Sequence, residues 1–426
     1  MKRILLLAAA ILLATGAKRP PSPLDGIAQD YVRLTLEAGE RSEGYVDAYY
    51  GPAEWQAEAK ARPREIATLH KDAAVLAQRL SGIPAKSLTA DDRRRKAMLA
   101  AQLRAAQTRL AMIGGAKFSF ADEAEGLFAI RPALKPLDAY DAILAKIDAL
   151  VPGKAPLWQR VDAFQNRYVV PTDKIEAVMH AATAECRART LAHIMLPAQE
   201  RFDLELVKGK SWSGYNWYRG NAHSLIQVNT DLPLRIDRAV DLGCHEGYPG
   251  HHVLNMLLEQ KLALAKGWIE YSVYPLFSPQ SFIAEGSANA GIDLAFPGQQ
   301  RTDFEAAKLY PIAGLDPKTA PAYGELLDLL HHLSGARLTI AAEYLNGKVN
   351  PAEALDLIQK YQLISRKRAE QSLSFTEQYR SYVINYGLGQ DMVTADLERS
   401  GAGSANRWKR MEAIISQPTL PGDLRR

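Results

Sequence analysis

The sequence predicts a mainly α-helical chain with one small β element, and three observations carry that reading. Apolar residues recur at helical spacing through 25–42, 54–80, 89–113, 121–150, 172–205 and 351–395. One stretch, 211–232, is β-prone instead. There Trp212-Ser-Gly-Tyr-Asn-Trp-Tyr218 and Ser224-Leu-Ile-Gln-Val-Asn-Thr230 flank Arg219-Gly-Asn-Ala-His223, the pattern of a hairpin. Directly after it, a buried-looking helical pattern at 240–260 carries three of the chain's nine histidines within eight residues.

At the N-terminus, Met-Lys-Arg precedes an almost wholly apolar run from Ile4 to Ala14, followed by Thr15-Gly-Ala17. A basic start, a short apolar run and small residues form the anatomy of a secretory signal. The run is too short to stay as a membrane-spanning helix, and no cysteine follows it to carry a lipid. The expectation is a signal peptide at 1–17 and an exported chain at 18–426, periplasmic or secreted, without stable membrane association. Removing Lys2 and Arg3 from 52 basic residues leaves 50 against 48 acidic, a net charge of +2. No basic stripe with interleaved aromatics occurs, which argues against nucleic acid as a partner. The run Arg93-Arg-Arg-Lys96 follows the helix-cap pattern Thr89-Ala-Asp-Asp92 and reads as a solvated helix face.

Taken in order, Gly44-Tyr-Val-Asp-Ala-Tyr-Tyr-Gly-Pro52 reads as an aromatic loop ending in a turn, packed in the core or lining a cleft. The segments 54–80 and 89–113 are alanine-, leucine- and arginine-rich scaffold, the second stopped by Gly114-Gly115. Asp173 to Glu200 reads as one long helix. Cys186 and Cys244 are the two cysteines, and the sequence leaves open whether they pair. Ser278-Pro279 starts a helix whose Ala284-Glu-Gly-Ser-Ala-Asn-Ala-Gly291 suits close packing. The pair His331-His332 reads as ordinary helix residues, and the tail after 400 as loosely ordered.

Chemistry concentrates at His245-Glu246-Gly-Tyr-Pro-Gly-His251-His252. In the common His-Glu-x-x-His arrangement, two histidines one helical turn apart share a zinc ion, and the glutamate between them polarises a water. Here position i+4 from His245 is Pro249. On a straight helix His251 and His252 would lie roughly 9–10.5 Å away along the axis, at about 1.5 Å per residue. Two zinc ligands need their nitrogens within about 3.5 Å of each other, given bonds of about 2.0–2.1 Å. Pro249 lacks an N–H and its ring would clash with the carbonyl of His245, while Gly250 tolerates unusual backbone angles. Looping out Pro249-Gly250 would return a histidine to the His245 face. The expected ligands are therefore His245 and His251, with His252 the alternative second ligand.

The pattern His-Glu-x-x-Pro-Gly-His-His resembles the signature of the bacterial domain-of-unknown-function 885 family, which is similar to helical gluzincin-type zinc peptidases. Further matches are Gly44 to Trp55, Gln227-Val-Asn-Thr230, Ala284-Glu-Gly286, and Arg380-x-Tyr382 with Tyr386-Gly-x-Gly389. The resemblance implies a helical zinc-peptidase-like architecture around a cleft, with the β-hairpin beside the metal helix. It implies Glu285, 39 residues after Glu246, as the third zinc ligand. It also places Gln227, Val228 and Asn229 on a strand edge that an extended substrate pairs with. Tyr386 or Tyr382 would stabilise the oxyanion, and Arg380 would hold a substrate carboxylate. After Glu-Gly this chain continues Ser287-Ala-Asn-Ala-Gly-Ile-Asp293 where the family has Trp-Ala-Leu-Tyr-Ala-Glu, which implies a differently shaped pocket floor.

The expected function is an exported zinc metallopeptidase acting on short peptides, with Glu246 as general base. It would be a single catalytic domain over 18–426, a length that also accommodates two helical lobes around one zinc site. The alternative is a non-catalytic, zinc-dependent protein that binds peptides or other small ligands. Substrate, exo- or endo-cleavage and oligomeric state are not set by the sequence.

Overall fold

The computed structural model describes residues 22–210, 212–401 and 403–425; the expected signal peptide lies outside them. The architecture is mainly helical, with two small sheets, as the periodicity predicts. Helices Asp25–Arg41, Ile66–Ser81 and Ala90–Ile113 pack on one another at the N-terminal side. Thr89 caps the last of them by accepting from Asp92 N, and the helix ends at Gly114.

The helix Pro279–Ala295 runs through the main core and is buried along nearly its whole length. Its small residues let neighbours approach. A Cβ on Gly286 would stand 2.6 Å from the carbonyl carbon of Gly389 in the helix Ile384–Arg399, so both positions need glycine. A second core gathers Tyr140, Ile147, Leu326, Leu333, Ile340 and Ile358 from helices on the far side of a broad cleft.

Strand β1 (Val46–Tyr49) pairs antiparallel with β5 (Val273–Pro275). The other sheet has the order β2 (Arg201–Val207), β4 (His223–Asn229), β3 (Gly214–Tyr218). Strands β3 and β4 form the expected hairpin, joined by a turn at 219–222.

Several sequence expectations need correction. Helix Ile175–Leu191 stops short of Glu200, and Arg201–Val207 is a strand parallel to β4. Its Phe202, Leu204 and Leu206 alternate with charged residues, the period-two signature of a strand. The Gly44–Pro52 segment is not simply a loop, because Val46–Tyr49 finds its partner more than 220 residues later in the chain. The tail is ordered, for Ser404–Ile415 is a helix that buries Trp408, Met411, Ile414 and Ile415. Cys186 and Cys244 are joined by a disulfide, which staples helix Ile175–Leu191 to the residue preceding His245. Among the described residues no helix is long and apolar enough to cross a membrane.

Candidate metal centre and cleft

The segment carrying the motif begins as helix Asp237–Leu242 and widens into one π turn at Gly243–Gly247. It breaks at Tyr248-Pro249-Gly250, where the Tyr248–Pro249 peptide is cis, and resumes as helix His251–Leu258. The Gly250 N–H donates to the Cys244 carbonyl at 3.0 Å. A Cβ at Gly250 would sit 1.8 Å from the His245 carbonyl oxygen, so no other residue fits there. Pro249 packs against the central helix, where a Cβ on Gly291 would come within 2.7 Å of its Cγ. The two extra residues are absorbed in this way, and the His245 and His251 rings meet edge to face with centroids 4.6 Å apart.

Glu285 reaches the same point from the central helix. Its Oε2 lies 3.2 Å from His245 Nε2, and its Oε1 lies 3.7 Å from His251 Nε2. One donor atom from each of the three residues falls within 4.8 Å of the others. This two-imidazole, one-carboxylate set fits zinc. Two further observations support the fit. Glu285 Oε2 is buried without a hydrogen bond, an orphaned acceptor beside the His245 imidazole. The outer contacts also fix the donors. His245 Nδ1 is 2.9 Å from Asn289 Oδ1, which sets Nδ1 as an N–H and turns Nε2 toward Glu285. The Tyr382 hydroxyl donates to Glu285 Oε1 at 2.7 Å.

His252 points elsewhere. It is fully buried, with Nδ1 at 2.8 Å from Ser224 Oγ and Nε2 at 3.2 Å from Glu200 Oε2. Glu200 also accepts from Tyr248 at 2.6 Å and pairs with Arg187. This histidine joins the motif to the sheet, which leaves His251 as the residue beside His245.

Glu246 lies between the metal donors and β3. Burial, reinforced by Glu285 and opposed by His245 and Arg238, raises its carboxyl to about 7. Its backbone carbonyl accepts from Asn216 at 2.6 Å, and Gly214 passes so close that a Cβ there would meet Glu246 Oε1 at 3.0 Å. For His245, burial opposes protonation, but Glu285, Glu246 and Asn289 outweigh it and raise the ring to about 9. Burial lowers His251 to about 4, partly offset by Glu285. The opposite shifts follow from position, since His245 Nε2 lies 3.2 Å from a Glu285 oxygen and also feels Glu246, whereas His251 Nε2 lies 3.7 Å from Glu285.

The centre opens into a cleft of about 1690 Å³. Of the expected substrate and catalytic residues, Glu246, Tyr382 and Tyr386 line it. The Tyr382 hydroxyl is engaged by Glu285, whereas the Tyr386 hydroxyl makes no hydrogen bond among the described residues, and burial raises its pKa, keeping it protonated. The other three are placed differently. Arg380 donates to buried Glu123 at 2.7 Å and does not line the cleft. Gln227 and Asn229 stand on β4, which is hydrogen-bonded on both sides. Gln227 bonds Trp217 and Glu205, and Asn229 bonds the carbonyls of Lys210 and Trp212.

The open edge is β3, whose residues Gly214 to Trp217 line the cleft. Its polarity follows from register. Asn229 N donates to Ser213 O and Arg219 N to His223 O, so the odd-numbered residues face β4. By antiparallel alternation the N–H and C=O of Gly214 and Asn216 point away from it, toward the open edge. Asp47 on β1 was not singled out from sequence. It lines the cleft, bonds the Tyr215 hydroxyl, and is raised to about 8 by burial and by the nearby Glu285 and Glu246.

No protein-family model and no curated protein matches the chain. Among solved structures, the chain is similar to a lipoprotein candidate from Colwellia psychrerythraea at 12% identity and TM-score 0.54, covering 95% of this chain and 75% of that one. That likeness shows a shared fold. The chain is also similar to the M32 carboxypeptidase from Deinococcus radiodurans R1 at 14% identity and TM-score 0.42, covering 95% of this chain and 94% of that one.

Proposed function

We propose that this protein is an exported zinc metallopeptidase acting on short, extended peptides, of the kind its motif resembles. One observation carries the reading. His245, His251 and Glu285 converge within 4.8 Å, with Glu246 next to them and a free strand edge alongside. A zinc ion held by these three residues would supply Lewis acidity and lower the pKa of water.

The remaining roles belong to the chain. A peptide lies along β3 and pairs with the backbone of Gly214 and Asn216, which brings one of its carbonyls over the metal donors. Glu246 takes a proton from the attacking water and delivers it to the leaving amine. The Tyr386 hydroxyl donates to the developing oxyanion. Tyr382 and Asn289 hold Glu285 and His245 in place. The cleft walls exclude folded proteins and admit flexible chains. Export is supported by the sequence of the first 17 residues and by the Cys186–Cys244 bridge, which suits an oxidising compartment.

The test is a pool of short peptides incubated with zinc-loaded protein and read by mass spectrometry, alongside Glu246→Gln. Cleavage by wild type, reduced about 10²–10⁴-fold in the variant, is the expected result. Equal cleavage by both proteins would assign the activity to a contaminant. No cleavage by either, with zinc bound, would favour a peptide-binding role.

A further inference from the structure

We propose that Arg337 and Gln362 form a subsite for the C-terminal carboxylate of the substrate, so that the protein trims peptides from their C-terminal end. The inference rests on the peptidase reading and adds a direction of cleavage to it.

Arg337 lies on helix Ser334–Leu345 and Gln362 ends helix Pro351–Gln362. Both line the cleft that holds the metal centre, as does Ser372. Each keeps a buried N–H donor without a partner, Nε of Arg337 and Nε2 of Gln362. Arg337 makes no ion pair or hydrogen bond among the described residues. Its guanidinium lies 5.4 Å from the centre of the Phe375 ring and 5.9 Å from that of Tyr386. Burial holds its pKa below the usual arginine value, and the opposing influence comes from Tyr386, not from any carboxylate. A partly buried cation without a counter-charge is costly, and so is a buried amide N–H without an acceptor. One ligand satisfies both, a planar anion with two acceptor oxygens.

Position selects the source of that anion. Tyr386 links the subsite to the reaction centre, since its ring centre is 5.8 Å from that of Tyr382, whose hydroxyl binds Glu285. A carboxylate at Arg337 therefore shares one cleft wall with the groups that hold the metal donors. Two other cleft arginines without an ion pair differ, for Arg368 donates to the Pro233 carbonyl at 3.4 Å. Arg109 donates to Ser42 Oγ at 3.0 Å and feels the Glu123 carboxylate. In the reaction, the water oxygen bonds to the carbonyl carbon and the C–N bond breaks. The acyl fragment leaves as a carboxylate and the C-terminal fragment as a free amine, its own carboxylate still on Arg337.

The test uses matched short peptides with the same sequence, ending either in a free carboxylate or in an amide. A third series is amidated but carries Glu or Asp in its last two positions. Wild type should cleave the free acids about 10–100-fold better in kcat/KM than the amides, and at the bond one or two residues from the end. Arg337→Gln should reduce that ratio to near one, mainly by raising KM for the acids, and Gln362→Leu should reduce it in part. Binding of both peptide forms to Glu246→Gln, measured by calorimetry, should show the same preference. Equal handling of acids and amides by wild type overturns the proposal. So does Arg337→Gln slowing both forms equally, which marks a structural arginine. A ratio set by the acidic side chains alone assigns the subsite to side-chain recognition and also overturns it. Preferential binding of acids without turnover by wild type upholds the subsite and contradicts the peptidase reading.

Discussion

Two neighbouring histidines with opposite surroundings decide the chemistry at the residue scale. His251 faces Glu285 and His245, whereas His252 is enclosed by Ser224 and Glu200. His251→Ala should lose most bound zinc, as should Glu285→Ala, read by metal analysis after dialysis. His252→Ala should keep its zinc and lose about 1–3 kcal/mol of stability, because Ser224 loses its imidazole partner and Glu200 keeps only Tyr248 and Arg187. Full zinc retention in Glu285→Ala would exclude it as a ligand. Asn289→Ala should weaken zinc by about 10–100-fold by freeing the His245 ring.

Glu200 gives a prediction with pH. Burial raises its carboxyl, but His252, Tyr248 and Arg187 outweigh burial and lower it to about 2. A depressed carboxyl binds its proton more weakly in the folded state than in the unfolded one. Its contribution is therefore complete above the unfolded value near 4.5 and is lost as pH falls toward 2. Thermal unfolding measured from pH 6 down to 3 should show a smaller loss of Tm in Glu200→Gln than in wild type, from a lower starting point.

Geometry at the element scale comes from a helix that departs from regularity at one place. The π turn and the Tyr248-Pro249-Gly250 break offset the two extra residues between the histidines. Gly250→Ala should separate the histidines, since its methyl would overlap the His245 carbonyl. The expected outcome is loss of zinc with the helix content by circular dichroism nearly unchanged. This element was legible in the sequence, because Pro249 and Gly250 have strong, local backbone requirements. So was the β3–β4 hairpin, with its alternating pattern and tight turn. The other strands were not. Val46–Tyr49 is a strand only because Val273–Pro275 lies beside it, and Arg201–Val207 reads as a continuing helix until β4 is in place. The same limit placed Gln227 and Asn229 on the wrong edge, because strand order is a tertiary fact. Arg337 and Gln362 come to one cleft through tertiary packing, so no local pattern signals their unpaired Nε and Nε2 donors.

For the whole molecule, two cores flank the cleft, and the candidate metal centre belongs mostly to the larger one. That core is fastened where the chemistry is, by the Cys186–Cys244 bridge. The bridge closes a loop with a sequence separation of 58, and such a link typically stabilises by roughly 2–4 kcal/mol. Replacing both cysteines by serine should lower the Tm measurably and weaken zinc binding as well, because Cys244 adjoins His245. A stability loss with no change in zinc affinity would mean that the π turn holds its shape without the bridge.

The central claim is that His245, His251 and Glu285 hold a metal at the floor of the cleft. Anomalous diffraction at the zinc edge, from crystals of zinc-loaded protein, tests it most directly. The expected map has one strong peak about 2.0–2.2 Å from His245 Nε2, His251 Nε2 and a Glu285 oxygen, with Glu246 adjacent and His252 still bonded to Glu200. A peak bound to His252, or no peak between these three residues at saturating zinc, would contradict it.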